Sequence, residues 1–143
     1  MNDRADLFGR RGTPMQYMLL LYIPTEEESG DALKKILDEH KQFTRRITTS
    51  GQYLDSNALE PAATATTVRL RDAKTLVTDG PFAETREQLG GYYLVEAENL
   101  DAAIGLAARI PVARNGSVEI RPVNLAIREE FVREGVIQSR PDR

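Results

Sequence analysis

The chain contains a single histidine, His40, the one side chain whose ordinary pKa lies near neutrality. It is therefore the natural candidate to give or take a proton. It recurs with Leu33, Ile36, Leu37, Phe43 and Ile47 at three- and four-residue intervals. That spacing places it on the apolar face of a helix of about five turns, pointing towards a sheet. An imidazole there needs a hydrogen-bond partner. Two readings stand side by side: a satisfied structural histidine, or a general base with one ring nitrogen held and the other facing a ligand.

The second chemically dense stretch runs over residues 79–93. In Asp79-Gly80-Pro81-Phe82, an aspartate starts a turn, a glycine is free to take positive φ, and a proline fixes the next φ. Phe82 then reads as a plug for the core. Shape-keeping and ligand binding both fit these four residues. Glu84, Arg86, Glu87 and Gln88 follow as a polar loop, a favoured place for function on a rigid sheet. Arg86 suits a bidentate grip on a carboxylate or phosphate, or a pairing with Glu84. Gly90-Gly91 allows either close approach of a ligand or a bulge entering a strand. Tyr92 and Tyr93 must point to opposite sheet faces. A phenol such as that of Tyr92, lining a cleft, would orient a small ligand, and aromatic core packing is the plainer alternative.

Composition removes several chemistries. There are no cysteines, hence no disulfide, no thiolate nucleophile and no cysteine-built zinc site. One histidine among scattered carboxylates lacks metal-ligand spacing, and no phosphate loop or dinucleotide fingerprint occurs. No metal or other cofactor is expected. The net charge of −3 lacks the basic excess that drives nucleic-acid binding. No apolar run approaches the roughly 18 residues of a membrane span. A cytoplasmic protein is expected.

These residues need a scaffold. At 143 residues the chain fits one domain that buries roughly 70% of its unfolded surface. Residues 1–14 mix arginine and aspartate without an apolar stretch and read as a disordered leader, with Met15 an alternative start. Residues 17–23 form a short apolar strand ended by Pro24. The His40 helix follows, with Thr25 and Glu28 at capping-box spacing, Ser29 and Asp31 as further caps, and Gly51 as its stop. Strands are expected at 53–59, 92–97 and 118–122, and a hairpin over 66–70 and 75–78. In that hairpin Ala73 occupies a turn position that a glycine would suit better. A second helix starts at an Asn99 cap and carries Leu100, Ala103, Ile104, Ala107 and Ala108. A last helix starts at Asn124 and runs to about residue 133. Its Leu125, Ile127, Phe131, Val132 and Val136 either pack on their own domain or offer a partner surface.

Without the hairpin the order is βαββαβ, the ferredoxin-like split βαβ arrangement, here with an inserted β-hairpin and a C-terminal helix. Helices on one sheet face leave the other to be buried, so a homodimer is expected.

The stretch 77–93, VTDGPFAETREQLGGYY, resembles the YCII-related family, in the branch named for its Asp-Gly-Pro-Phe motif. Residues 63–69 (ATATTVR) and 118–122 (VEIRP) match as well, and the resemblance spans about residues 16–123. It implies a ferredoxin-like domain over 15–123 that forms a dimeric α/β-barrel, with 124–143 left outside as a C-terminal helix and tail. It also implies a His–Asp pair as the active site. His40 matches the family's histidine, Asp79 is the first candidate for the acid, and Asp55 the second. Related members on this fold include small-molecule isomerases and a dehydrochlorinase. The motif branch accompanies extracytoplasmic-function sigma factors. The resemblance thus supports two expectations. One is cofactor-free binding or transformation of a small polar or aromatic metabolite. The other is a regulatory module with a sigma-factor partner.

Overall fold

The computed structural model describes residues 15–25, 29–83 and 85–141. The expected leader and Glu84 lie outside them, as does Glu28 of the capping pair.

Strand β1 (Met15–Pro24) is central. Its side chains alternate, with Tyr17, Leu19 and Leu21 buried and their neighbours half-buried, as the two-residue strand period requires. Strand β2 (Tyr53–Ala58), hairpin strands β3 (Thr66–Arg71) and β4 (Lys74–Asp79), strand β5 (Glu87–Ala97) and strand β6 (Ser117–Pro122) complete the sheets. The main sheet is antiparallel with order β2-β5-β1-β6, and β3-β4 stands apart as a two-stranded ribbon. This is the expected ferredoxin-like α+β order.

Helix α1 (Gly30–Thr49) connects β1 to β2 and buries Phe43 and Ile47. Each such burial contributes roughly 1.5–3 kcal/mol. Its C-terminus closes as the glycine predicts: the Gly51 N–H donates to Thr48 O (3.1 Å), and the Gln52 N–H to Ile47 O (2.9 Å). With Gly51 at φ +77°, this is a Schellman closure. Its N-cap is Ser29 by backbone geometry, without a side-chain cap bond. Helix α2 (Leu100–Ala108) is capped by Asn99, whose side-chain oxygen accepts from the Ala102 N–H at 2.9 Å. Helix α3 (Leu125–Arg133) is capped in the same way by Asn124, which accepts from Ile127.

The core lies between the sheet and α1 and α2. It gathers Tyr17, Leu19, Leu21, Phe43, Ile47, Tyr93, Val95, Ala103, Leu106 and Ile110. Two expectations change here. The buried face of α2 is Ala103, Leu106 and Ala107, while Leu100 and Ile104 are about half exposed, because a nine-residue helix turns only a narrow stripe to the sheet. Residues 87–89 belong to β5 rather than to a loop, since their backbones pair with Gln88↔Ile23 and Leu89↔Tyr22. The open alternative at the C-terminus divides: Leu125 and Val132 on α3 are half-buried, while Ile127 and Phe131 on α3 and Val136 after it are exposed.

The glycine pair inside β5 takes the bulge role. Leu21 pairs with Gly91 and Tyr22 with Leu89, so Gly90 is the extra residue. A Cβ on Gly91 would lie 2.8 Å from Asn57 O, so the backbones of β2 and β5 meet too closely there for a side chain.

Candidate functional site

His40 lies half-buried where α1 meets β5. Its Nδ1 is 3.1 Å from the Tyr93 hydroxyl, and the two rings are nearly parallel, with 11° between their planes. Tyr93 is buried, and Phe43 sets an edge against its ring at 5.2 Å between centroids. Thr44, one helical turn after His40, completes the group. Its hydroxyl donates to His40 O at 2.8 Å and lies 3.1 Å from the Tyr93 hydroxyl.

One proton order satisfies all three contacts. Each hydroxyl carries a single proton. The Thr44 proton goes to the His40 carbonyl, so Thr44 Oγ1 must accept from Tyr93. The Tyr93 proton is then used, so its oxygen must accept from His40 Nδ1–H. Neutral His40 is thereby the Nδ1–H tautomer, and Nε2 carries the free lone pair. Among the described residues, no hydrogen bond engages Nε2.

Electrostatics supports the neutral form. Burial pushes the His40 pKa below its ordinary 6.5, with Glu39 opposing and Arg114 assisting that shift. Burial raises the Tyr93 phenol above its ordinary 10.0, and its hydrogen-bonded contact with Thr44 opposes that shift. Tyr93 therefore works near neutral pH as an uncharged hydrogen-bonding group. The arrangement is an imidazole held on one nitrogen by a buried phenol, with its second nitrogen available as a base.

Asp79 ends β4 opposite Thr66 and is exposed. Within one chain it is neither a hydrogen-bond partner of His40 nor among the charges acting on it. Gly80 takes φ +102° with open space around its α-carbon, so conformation alone calls for glycine there. Its N–H donates to Ala65 O at 2.7 Å, and its carbonyl accepts from the Thr67 hydroxyl at 2.9 Å. These bonds tie the motif turn to the base of the hairpin, and Pro81 follows half-buried. Phe82 is not a core plug: it is 77% exposed, with the Arg69 guanidinium 5.1 Å from its ring centroid. Arg86 is exposed, and no ion pair engages it among the described residues.

Tyr92 and Tyr93 point to opposite faces as expected. Tyr92 lies on the sheet face away from α1, donating to Asp55 Oδ2 at 2.9 Å and accepting from Asn57 Nδ2 at 2.9 Å. Asp55 therefore serves Tyr92, not His40. Sequence reasoning missed Tyr93 and Thr44 as the partners of His40. A signal existed for each: Thr44 is four residues after His40, and one of the two tyrosines had to face the helices.

A ferredoxin-like α+β domain carrying an imidazole–phenol seam between helix and sheet defines the class. The model of the YCII-related domain matches residues 15–140, running past β6 and through α3. An uncharacterised protein of Rhizobium meliloti (strain 1021) is 34% identical over 116 residues, covering 78% of this chain and 94% of that protein. The chain belongs to the YCII-related family.

Proposed function

We propose that this protein binds and transforms a small polar or aromatic metabolite without a cofactor, with His40 as the group that moves a proton. The observation that carries this reading is the hydrogen-bond order at His40, which fixes Nδ1–H on Tyr93 and leaves Nε2 unprotonated. Tyr93 fills, within one chain, the orienting role that the resemblance suggests for an aspartate. Asp79, Gly80, Pro81, Phe82, Glu84 and Arg86 would supply ligand contacts from the motif loop, and Tyr92 from the opposite sheet face. The working unit in this proposal is a cytoplasmic homodimer joined through that face, where Met18, Leu20, Tyr22 and Tyr92 are half-buried in the single chain.

The test is a panel of small polar and aromatic metabolites titrated against the His40 ring signals in NMR. One histidine makes those signals unambiguous. A compound that shifts them, and whose turnover is lost in His40→Gln, is the expected result. Equal turnover by His40→Gln, or a panel that leaves the ring unmoved, ends the reading.

A second reading rests on α3. Ile127 and Phe131 on that helix and Val136 just after it are 53%, 46% and 64% exposed, apolar side chains that a protein partner would cover. In this reading the protein is a regulatory module bound to an extracytoplasmic-function sigma factor. Co-purification with a sigma factor encoded beside it, lost on Phe131→Asp, is expected. No association at any salt concentration would count against it.

A further inference from the structure

A groove runs along the flank of α1, between that helix and the connection from α2 to β6. Lys35, Glu39, Gln42 and Arg46 line its α1 wall at spacings of four, three and four residues, the stripe that one helix face presents. Arg109 and Arg114 stand on the other wall. Four cations thus face one carboxylate, on a chain whose net charge is −3. The clustering runs against the overall charge, so composition alone does not produce it.

The guanidinium groups are partly organised by the backbone. Arg109 Nε donates to Gly105 O at 3.3 Å, and Arg114 Nε donates to Pro111 O at 3.3 Å. Glu39, 26% exposed, bonds Arg114 and so neutralises one cation. Among the described residues Lys35, Arg46 and Arg109 have no ion-pair partner. Three uncompensated cations around one cleft suit an anion of charge two or more, and forked arginine donors suit phosphoryl oxygens. The part of the cleft lined by Arg46, Arg109 and Arg114 holds about 240 Å³, room for a phosphoryl group and a small attached body. The net charge of −3 disfavours an extended polyanion.

We propose that this groove binds the phosphoryl end of a small phosphorylated molecule, with Arg46, Arg109 and Arg114 as its donors. Binding there is separate from proton transfer at His40, and the assay that tests it reads no turnover. Arg114 acts electrostatically on His40, so an anion in the groove also reports on the imidazole.

The experiment uses the full chain with pyrophosphate as probe, at constant ionic strength, followed by calorimetry and by the His40 ring signals. Saturable binding is expected, with an upward shift of the His40 titration. The double variant Arg46→Gln/Arg109→Gln should weaken binding more than tenfold, and both sites are exposed, so the fold should persist. Arg133→Gln on α3 removes the same kind of charge elsewhere and should leave affinity unchanged. Unsaturable binding, equal affinity in the double variant, or an equal loss in Arg133→Gln would overturn the site. Succinate binding as tightly as pyrophosphate would overturn the assignment to phosphate.

Discussion

His40 Nδ1 and the Tyr93 hydroxyl lie 3.1 Å apart, joining residues 53 positions distant in the chain into one proton-ordered group with Thr44. The bond fixes which nitrogen of the imidazole carries hydrogen. Most measurable properties of the site follow from it.

The first is the tautomer. Nitrogen-15 shifts of the neutral ring should show Nδ1 protonated and Nε2 bare. In Tyr93→Phe the acceptor is gone, and the ring should return towards a mixed population. The lost hydrogen bond should cost about 1 kcal/mol, read from urea unfolding. A mixed tautomer in the wild-type protein would contradict the proton order.

The pH dependence has a definite sign. His40 in the fold titrates below its ordinary 6.5, because burial disfavours the charged ring. The unfolded chain therefore binds this proton more tightly than the folded one. Stability from this group is full above pH 6.5, falls as pH drops below that value, and levels off once the folded ring is also protonated. His40→Gln should flatten this part of the profile in melting-temperature scans. An unchanged slope would show that His40 is not the group responsible.

The hairpin turn should respond to one substitution. Asp72 and Ala73 take φ of +49° and +61°, a left-handed pair at the centre of the β3-β4 turn. Such a conformation costs an ordinary residue roughly 1–2 kcal/mol, and glycine far less. Ala73→Gly should increase amide protection along β3 and β4 by up to about tenfold in hydrogen exchange, and Ala73→Val should lower it. The main sheet should not change, because the ribbon has no pairing with it.

Ile47 is 1% exposed under the C-terminal turn of α1. Ile47→Ala should destabilise the fold by about 2–5 kcal/mol in denaturant unfolding. Val68→Ala, at a site 62% exposed on the ribbon, should stay within about 0.5 kcal/mol. Similar losses from both would mean that the ribbon is buried in the working assembly.

Local signals made the scaffold legible. The apolar run of β1, the glycine after α1 and the asparagines before α2 and α3 each act within a few residues, and each element forms close to where these signals lie. Thr44 is local to His40 as well, but the partner across the fold depends on the sheet register instead. Tyr93 reaches α1 only because β5 pairs with β1 as Leu19↔Tyr93, a long-range relationship that no local pattern encodes. Phe82 misled for a related reason: an aromatic after a tight turn is apolar by type, but the turn hangs from the hairpin base, outside the core. On α2, alanines are small enough to suit several faces, so they did not mark Leu106 as the buried residue.

The extra residue at Gly90 has a consequence for phase. It lets Leu89 stand opposite Tyr22 while Gly91 stands opposite Leu21, so the strand restarts its up-and-down count at that point. Everything upstream in β5, and the motif turn that feeds it, is set half a period out of step with the Tyr92–Tyr93 segment. A chain lacking Gly90 should keep Tyr93 on His40 and leave residues 87–89 on the faces they already occupy, because Leu89 then follows Tyr22 in an unbroken ladder, whereas one extra residue placed beside Gly90 should turn them over. Cross-strand proton contacts between Leu89 and Tyr22 should therefore persist without Gly90, and their loss would show that the step is set elsewhere.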